Sequence, residues 1–228
     1  MIITIDGPAG AGKSTAARKL AQALGIAFLD TGVTYRAVTL RVMRSGVDLR
    51  DAEGVAEQAR GMDLKMMPGP DGVRVVMDGL DVSDDIRTEE ISTNVHYVAN
   101  DPQVREILVE LQRQIGRKLG DFVTEGRDQG TVVFPDADIK FYINADATQR
   151  AKRRRNELAD RGQAANHETI LQAIVDRDRR DAGRDVGALR VPHGAIQIDT
   201  TTNTIEQTLA ELLRYVPTEY RTDGEVRR

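Results

Sequence analysis

The chain has 228 residues, a formal net charge of −4, 30% charged residues and no cysteine. That length suits one well-buried α/β domain with insertions better than two small domains, and the missing cysteines exclude disulfides, thiolate metal sites and cysteine nucleophiles, leaving oxygen ligands for any metal. The acidic balance speaks against a general nucleic-acid surface, no stretch approaches the roughly 20 apolar residues of a membrane span, and no signal-peptide pattern opens the chain. A soluble, cytoplasmic monomer is expected, although without an exposed heptad or large apolar stripe the oligomeric state is not readable from the sequence.

Residues 1 to 5 form a β-branched run with the look of a buried strand. The segment Gly7, Pro8, Ala9, Gly10, Ala11, Gly12, Lys13, Ser14, Thr15 then fits the pattern G-x-x-x-x-G-K-[ST]. A helix follows over residues 13 to 24, with small and apolar residues at 16, 17, 20, 21 and 24 and Gly25 as its stop. Strand, glycine loop and helix in this order make a polyphosphate cradle. Loop amides point inward, the helix N-terminus adds positive partial charge, Lys13 reaches the outer phosphates and the Ser14 hydroxyl ligates Mg²⁺. The plainer alternative is an ordinary glycine-rich turn.

Residues 26 to 30 read as a second strand, 34 to 45 as a helix stopped by Gly46, and 52 to 60 as a short helix. Segments 63 to 67, 73 to 77 and 80 to 82, joined by turns at 68 to 72 and at Asp78 and Gly79, predict a small antiparallel meander inserted into the α/β frame. Helices resume after Thr88, an N-cap with Glu89 and Glu90 in the first turn, and at Asp101 and Pro102, running to Gly120. Strands are expected at 121 to 125, 138 to 144 and 195 to 199, a last helix at 204 to 215, and a loose polar tail from 216.

Five strands alternating with helices predict an α/β fold of P-loop NTPase type, with a five-stranded parallel sheet flanked by helices. Ligands then gather beyond the carboxyl ends of the strands, where the phosphate loop, Asp30 to Gly32, and the run Gly126, Arg127, Asp128, Gln129, Gly130 lie. We expect a single domain over 1 to 228, with a core of 1 to 60, 88 to 150 and 177 to 215, an insert at about 61 to 87, a helical lid at about 151 to 176 and a tail from 216 to 228.

Arg177, Arg180, Asp181 and Arg184 fall at i, i+3, i+4 and i+7, a spacing that predicts one helical face. A second basic cluster, Arg150 with Lys152, Arg153, Arg154 and Arg155, opens the preceding helix, where cations oppose the macrodipole unless an anion compensates them. Transfer between two anions requires charge neutralisation on donor, acceptor and the group in flight. Arginine excess around a phosphate loop therefore points to a phosphorylated acceptor. A GTPase would carry an N-K-x-D segment, and none occurs.

The strings GPAGAGKST, LDTGVTYRAVTL from Leu29, DIRTEEIS from Asp85, EGRDQGTVVFPDAD from Glu125, RDRRDAGR from Arg177 and IDTTTNTIEQ from Ile198 together resemble the bacterial cytidylate kinases over nearly the whole chain. The resemblance implies ATP with Mg²⁺ as donor, CMP or dCMP as acceptor, and an enlarged monophosphate-binding insert over 63 to 82. It implies acceptor-phosphate contacts at Thr31, Arg36, Arg127 and Arg184, cytosine contacts at Tyr35, Arg105 and Asp128, and ribose contacts at Arg177 and Asp181. Lys13, Arg127, Arg180 and Arg184 are the expected catalytic residues, and Ser14, with Asp30 as a weaker candidate, the Mg²⁺ ligand. His96 stands where a base-contacting Ser is usual, Gly183 replaces a common Asn, and Asp185 replaces a small residue. Simpler roles stay open: Arg105 as a solvated helix residue, Asp30 as a cap, Tyr35 as core packing. Two further readings compete, a kinase of the same fold with another small phosphorylated acceptor and a non-enzymatic nucleotide-binding protein.

Overall fold

The computed structural model describes residues 1–69, 72–160 and 162–220. In chain order the elements are β1 (Ile2–Asp6), α1 (Lys13–Leu24), β2 (Ala27–Asp30), α2 (Gly32–Ser45), α3 (Ala52–Arg60), β3 (Leu64–Gly69), β4 (Gly72–Met77), β5 (Leu80–Asp81), α4 (Glu89–Asn100), α5 (Pro102–Leu119), β6 (Phe122–Gly126), β7 (Ile139–Asn144), α6 (Ala147–Asp160), α7 (His167–Ala182), β8 (Ile196–Asp199) and α8 (Ile205–Arg214). They divide between two compact units, Met1–Phe28 with Gly120–Arg228, and Leu29–Leu119.

The expected five-stranded sheet is present in the order β2-β6-β1-β7-β8. β1 runs parallel to β6 and β7, and β7 parallel to β8. Its strands lack the polar alternation of a solvated sheet because both faces are covered: Ile3, Ile5, Val123, Phe141 and Ile143 are all buried. On α1 the residues turned inward are Ala16, Ala17, Leu20 and Ala21, and the small ones allow close approach to the strands. Register then sets the position of the site. Asp6 lies opposite Gly126, so the loops leaving β1 and β6 start side by side at one sheet edge.

α6 and α7 share a small apolar cluster built from Ala151, Ile170 and Ile174, with Leu158 and Leu171 packed against it. Their capping follows the residues: Asn166 accepts the Glu168 N–H at 2.7 Å, and Thr204 with Gln207 forms a reciprocal capping box at the start of α8.

The second unit holds α2 to α5 around Val38, Val42, Val55, Ala56, Val98, Val104 and Leu108. Its meander is the antiparallel sheet β3-β4-β5, with Val73, Val75 and Met77 buried at alternate positions as the period of a strand requires. The N-caps lie where the sequence puts them. Thr88 accepts from Ile91 N, and Asp101 accepts from Gln103 N at 2.8 Å and Val104 N at 3.1 Å.

Three local features differ from the sequence expectation. A single π-type turn, Gln129–Val133, follows β6. The segment expected to be a loose tail begins with a 3₁₀ turn, Thr218–Tyr220, while residues 221 to 228 of that tail, like Pro70 and Asp71 of the meander turn, lie outside the described residues. α7 ends at Ala182, so Arg184 stands beyond the helix instead of on its face. Among the described residues no helix is long and apolar enough to cross a membrane.

Candidate active site

Side chains hold three carbonyls of the phosphate loop, one from its own Lys13 and two from outside it. The Lys13 Nζ donates to the Pro8 carbonyl at 2.8 Å, Arg150 Nη1 to the Ala9 carbonyl at 3.0 Å, and Thr200 Oγ1 to the Ala11 carbonyl at 3.1 Å. A trans peptide points its N–H opposite its C=O, so fixing these three carbonyls aims the amides of Ala9, Gly10 and Gly12 the other way. Gly7 is obligatory here. Its φ is +149°, and a Cβ would lie 1.9 Å from the Ile143 carbonyl oxygen. Gly12, at φ +88°, turns the chain into α1, whose first turn has no side-chain cap and no acidic residue. Those first amide donors are left for an anion.

Lys13 is 5% exposed, and burial, reinforced by Arg127, lowers its pKa to about 7. Glu125, at the end of β6, accepts the Ser14 hydroxyl at 2.7 Å on one oxygen and lies 4.0 Å from Lys13 with the other. Sequence reading singled out Ser14 and passed over Glu125. Asp6 was also missed: it is fully buried, and its two oxygens accept the backbone N–H groups of Gln129 at 2.8 Å and Gly130 at 2.7 Å. This carboxylate ends β1 and clamps the turn carrying Arg127 and Asp128. Burial pushes its pKa up to about 7 despite the two backbone donors. A charged residue ending an otherwise apolar strand was the available signal.

Asp181, 3% exposed, gathers the arginines of this unit. Arg127 Nε donates to it at 2.9 Å, Arg184 pairs with its other oxygen, and Arg177 lies at 4.0 Å. Burial alone would raise the Asp181 pKa, but Arg127, Arg184 and Arg177 hold it below the ordinary carboxylate value. Burial likewise works against the Arg127 charge, and Asp181 with Glu125 more than restores it. The expected grouping of Arg127, Arg177, Asp181 and Arg184 therefore forms, although Arg184 arrives by the loop after Gly183. Arg180 is not brought in. It is exposed and has no ion pair or hydrogen bond among the described residues. Asp128 is buried and N-terminal to the π turn.

In the second unit, the Arg105 guanidinium lies over the Tyr35 ring at 5.4 Å and donates to the Ala99 carbonyl at 3.0 Å. Arg105 is only 2% exposed, which rules out the solvated-helix role. Tyr35 also packs against the apolar cluster of this unit. Arg36 Nη2 pairs with Asp30 at 3.2 Å, and Thr31, buried, begins α2 without capping it through its side chain. His96 places Nδ1 2.7 Å from the Thr93 carbonyl and its ring 4.1 Å from that of Tyr97.

Oxygen donors for Mg²⁺ are present in the first unit. Ser14 and Glu125 lie within hydrogen-bond distance of each other beside the phosphate loop, and Mg²⁺ commonly takes only one or two protein oxygens, with phosphates and waters completing its shell. No group of three His, Cys, Asp or Glu suited to a metal occurs among the described residues, which is compatible with such a sparse set.

Comparison with known proteins gives the family of the chain. A family model described as cytidylate kinase matches residues 3–218. A cytidylate kinase of Caldanaerobacter subterraneus subsp. tengcongensis is 46% identical over 98% of this chain and 97% of its own length. Those of Geobacter sp. strain M21 and Bacillus subtilis are 44% and 41% identical, covering 95% and 94% of this chain and 92% and 95% of their own lengths. With a phosphate loop, a clamped Arg127-Asp128 turn and an arginine-rich α7 end on one parallel sheet, this chain belongs to the cytidylate kinase family.

Proposed function

We propose that the chain transfers the γ-phosphoryl group of ATP to CMP or dCMP, giving CDP or dCDP and ADP. The observation that carries this reading is the trio Arg127, Arg177 and Arg184 collected on Asp181 in the same unit as the phosphate loop. Guanidinium groups gathered in one place offer forked donors, and a dianionic acceptor phosphate is a ligand that such a cluster fits. Membership of the cytidylate kinase family supports cytosine as the base.

The loop amides and Lys13 hold the β and γ phosphates, with residues 7 to 15 as the donor site. Ser14 and Glu125 hold Mg²⁺, which supplies charge neutralisation on the phosphates when bound; Asp30, paired with Arg36, is the less favoured ligand. Arg127 and Arg184 orient the acceptor phosphate, and Arg177 and Asp181 contact the ribose. Thr31, Tyr35, Arg36 and Arg105 of the second unit are assigned to the acceptor nucleotide. No general base is needed, because the attacking oxygen is already anionic, and catalysis rests on positioning and electrostatic stabilisation. Arg180 keeps its catalytic role only in a lid-closed state. The segment 151 to 176, carried on α6 and α7, acts as that lid and excludes water.

Base selection rests on Asp128. Cytosine presents an N4 amino donor that a carboxylate accepts, whereas uracil presents an O4 acceptor in the same place. A coupled assay offering ATP with CMP, dCMP, UMP or AMP tests the proposal: ADP should accumulate only with an acceptor, and fastest with CMP or dCMP. Equal rates on AMP, or ADP release without any acceptor, would favour one of the competing readings.

A further inference from the structure

Arg150 is buried and makes three directed bonds with three different nitrogens. Nε donates to the Ala145 carbonyl at 2.9 Å, Nη1 to the Ala9 carbonyl of the phosphate loop at 3.0 Å, and Nη2 pairs with Asp178 Oδ2 on α7 at 2.7 Å. It stands in the first turns of α6, where a cation opposes the helix dipole, and Asp178 is the anion that compensates it. An apolar pair of similar volume would join α6 to α7 with no loss of stability, since buried ion pairs seldom outperform such replacements. What an apolar pair lacks is the grip on Ala9.

We propose that Arg150 is a positioning residue that couples triphosphate binding at the loop to acceptor binding at the arginines near Asp181. The inference rests on the functional reading above. The Ala9 carbonyl and the Gly10 N–H belong to one planar peptide, so a phosphate drawing on that N–H turns the carbonyl that Arg150 holds. The same guanidinium fixes Asp178, which precedes Asp181 by one helical turn on α7. Because Asp178 Oδ1 is buried without a hydrogen-bond partner among the described residues, the Arg150 pair is the contact that holds this carboxylate, and it follows Arg150. Movement of the loop peptide therefore passes to the residue that gathers Arg127, Arg177 and Arg184. By linkage the acceptor must act back on the donor by the same factor. A lysine ammonium carries its donors on one nitrogen without a planar fork, so it does not reproduce the three-nitrogen grip on Ala145, Ala9 and Asp178.

The test is calorimetric titration of CMP with and without a saturating non-hydrolysable ATP analogue and Mg²⁺, on the wild-type chain, R150K, and the charge-neutral double variant R150M/D178N. The analogue should tighten CMP binding to wild type by about fivefold or more, in the range usual for coupled sites. In both variants the ATP analogue alone should bind more weakly, because the brace on Ala9 is lost, CMP alone should bind within about threefold of wild type, and the coupling factor, measured at saturating analogue, should fall to near one. A coupling factor retained in the double variant, or absent from wild type, would overturn the proposal. So would a variant that binds the analogue more weakly yet keeps the wild-type coupling factor, since Arg150 would then merely build the loop. If wild type binds no CMP at all, the functional reading itself fails, a result distinct from lost coupling.

Discussion

The phosphate loop and the arginine cluster at the end of α7, the proposed donor and acceptor sites, are held in opposite ways. The loop is braced at the carbonyls of Pro8, Ala9 and Ala11, groups that a phosphate does not use, so its amides are already aimed before a ligand adds its bonds. The cluster is braced by Asp181, whose carboxylate occupies the very donors of Arg127 and Arg184 that an acceptor phosphate would engage. The donor side is preorganised. On the proposed assignment the acceptor side exchanges one anion for another, or shares its arginines, before transfer. Such an arrangement favours reaction only when an acceptor is bound, and it keeps uncompensated positive charge out of a buried place in the meantime.

The largest effect should come from breaking the acceptor side. Arg127→Met removes a guanidinium to which the proposal gives charge stabilisation in transfer, and kcat should fall by about 10³-fold, at the low end for such arginines. ATP-analogue affinity, which depends on the braced loop, should change by less than about tenfold; steady-state kinetics beside titration separates the two. Equal loss of both would erase the contrast between the two regions.

Next comes selectivity. Asp128→Asn keeps the shape and one acceptor but places an amide donor beside the base, so the ratio of kcat/KM for CMP over UMP should drop by about tenfold, in line with roughly 1 to 3 kcal/mol per mismatched polar contact. An unchanged ratio would place base reading on other residues.

The smallest effect is a proton. Free Lys13 has a pKa near 7, lowered by burial and by Arg127, and bound phosphates raise it again. A pKa raised on binding means that the associated affinity is fully present below about 7 and is lost as pH rises through the higher bound value. At pH 8, binding of the ATP analogue should therefore take up a fraction of a proton, measurable by calorimetry in buffers of different ionisation enthalpy. Asp6 titrates in the same window and faces Lys13 and Asp128. Asp6→Asn should leave the Lys13 share of the uptake, and Lys13→Met should remove it.

Much of the frame was legible in the sequence because its signals are local. Gly25 and Gly46 stop helices, Thr88, Asp101 and Thr204 start them, and the glycine loop sits between strand and helix where its chemistry requires. The arginine cluster was legible in membership but not in geometry: helical spacing alone extends the face to Arg184, whereas the helix closes at Gly183 and the loop returns Arg184 to Asp181. Asp6 with the 129 to 130 amides, Ser14 with Glu125, and Arg150 with Ala9 were not legible. Each joins residues distant in the chain that only the parallel sheet and its packed helices bring together, and no periodicity or cap marks such pairs. Arg180 shows the converse, a residue with the right spacing that the fold leaves in solvent.

The central claim is the destination of the γ-phosphoryl group, and following the label itself tests it most directly. With γ-³²P-labelled ATP, Mg²⁺ and CMP, the label should appear at the β-phosphate of CDP in amounts matching the ADP formed. Label released as inorganic phosphate, or remaining on ATP while CMP stays unchanged, would contradict the account.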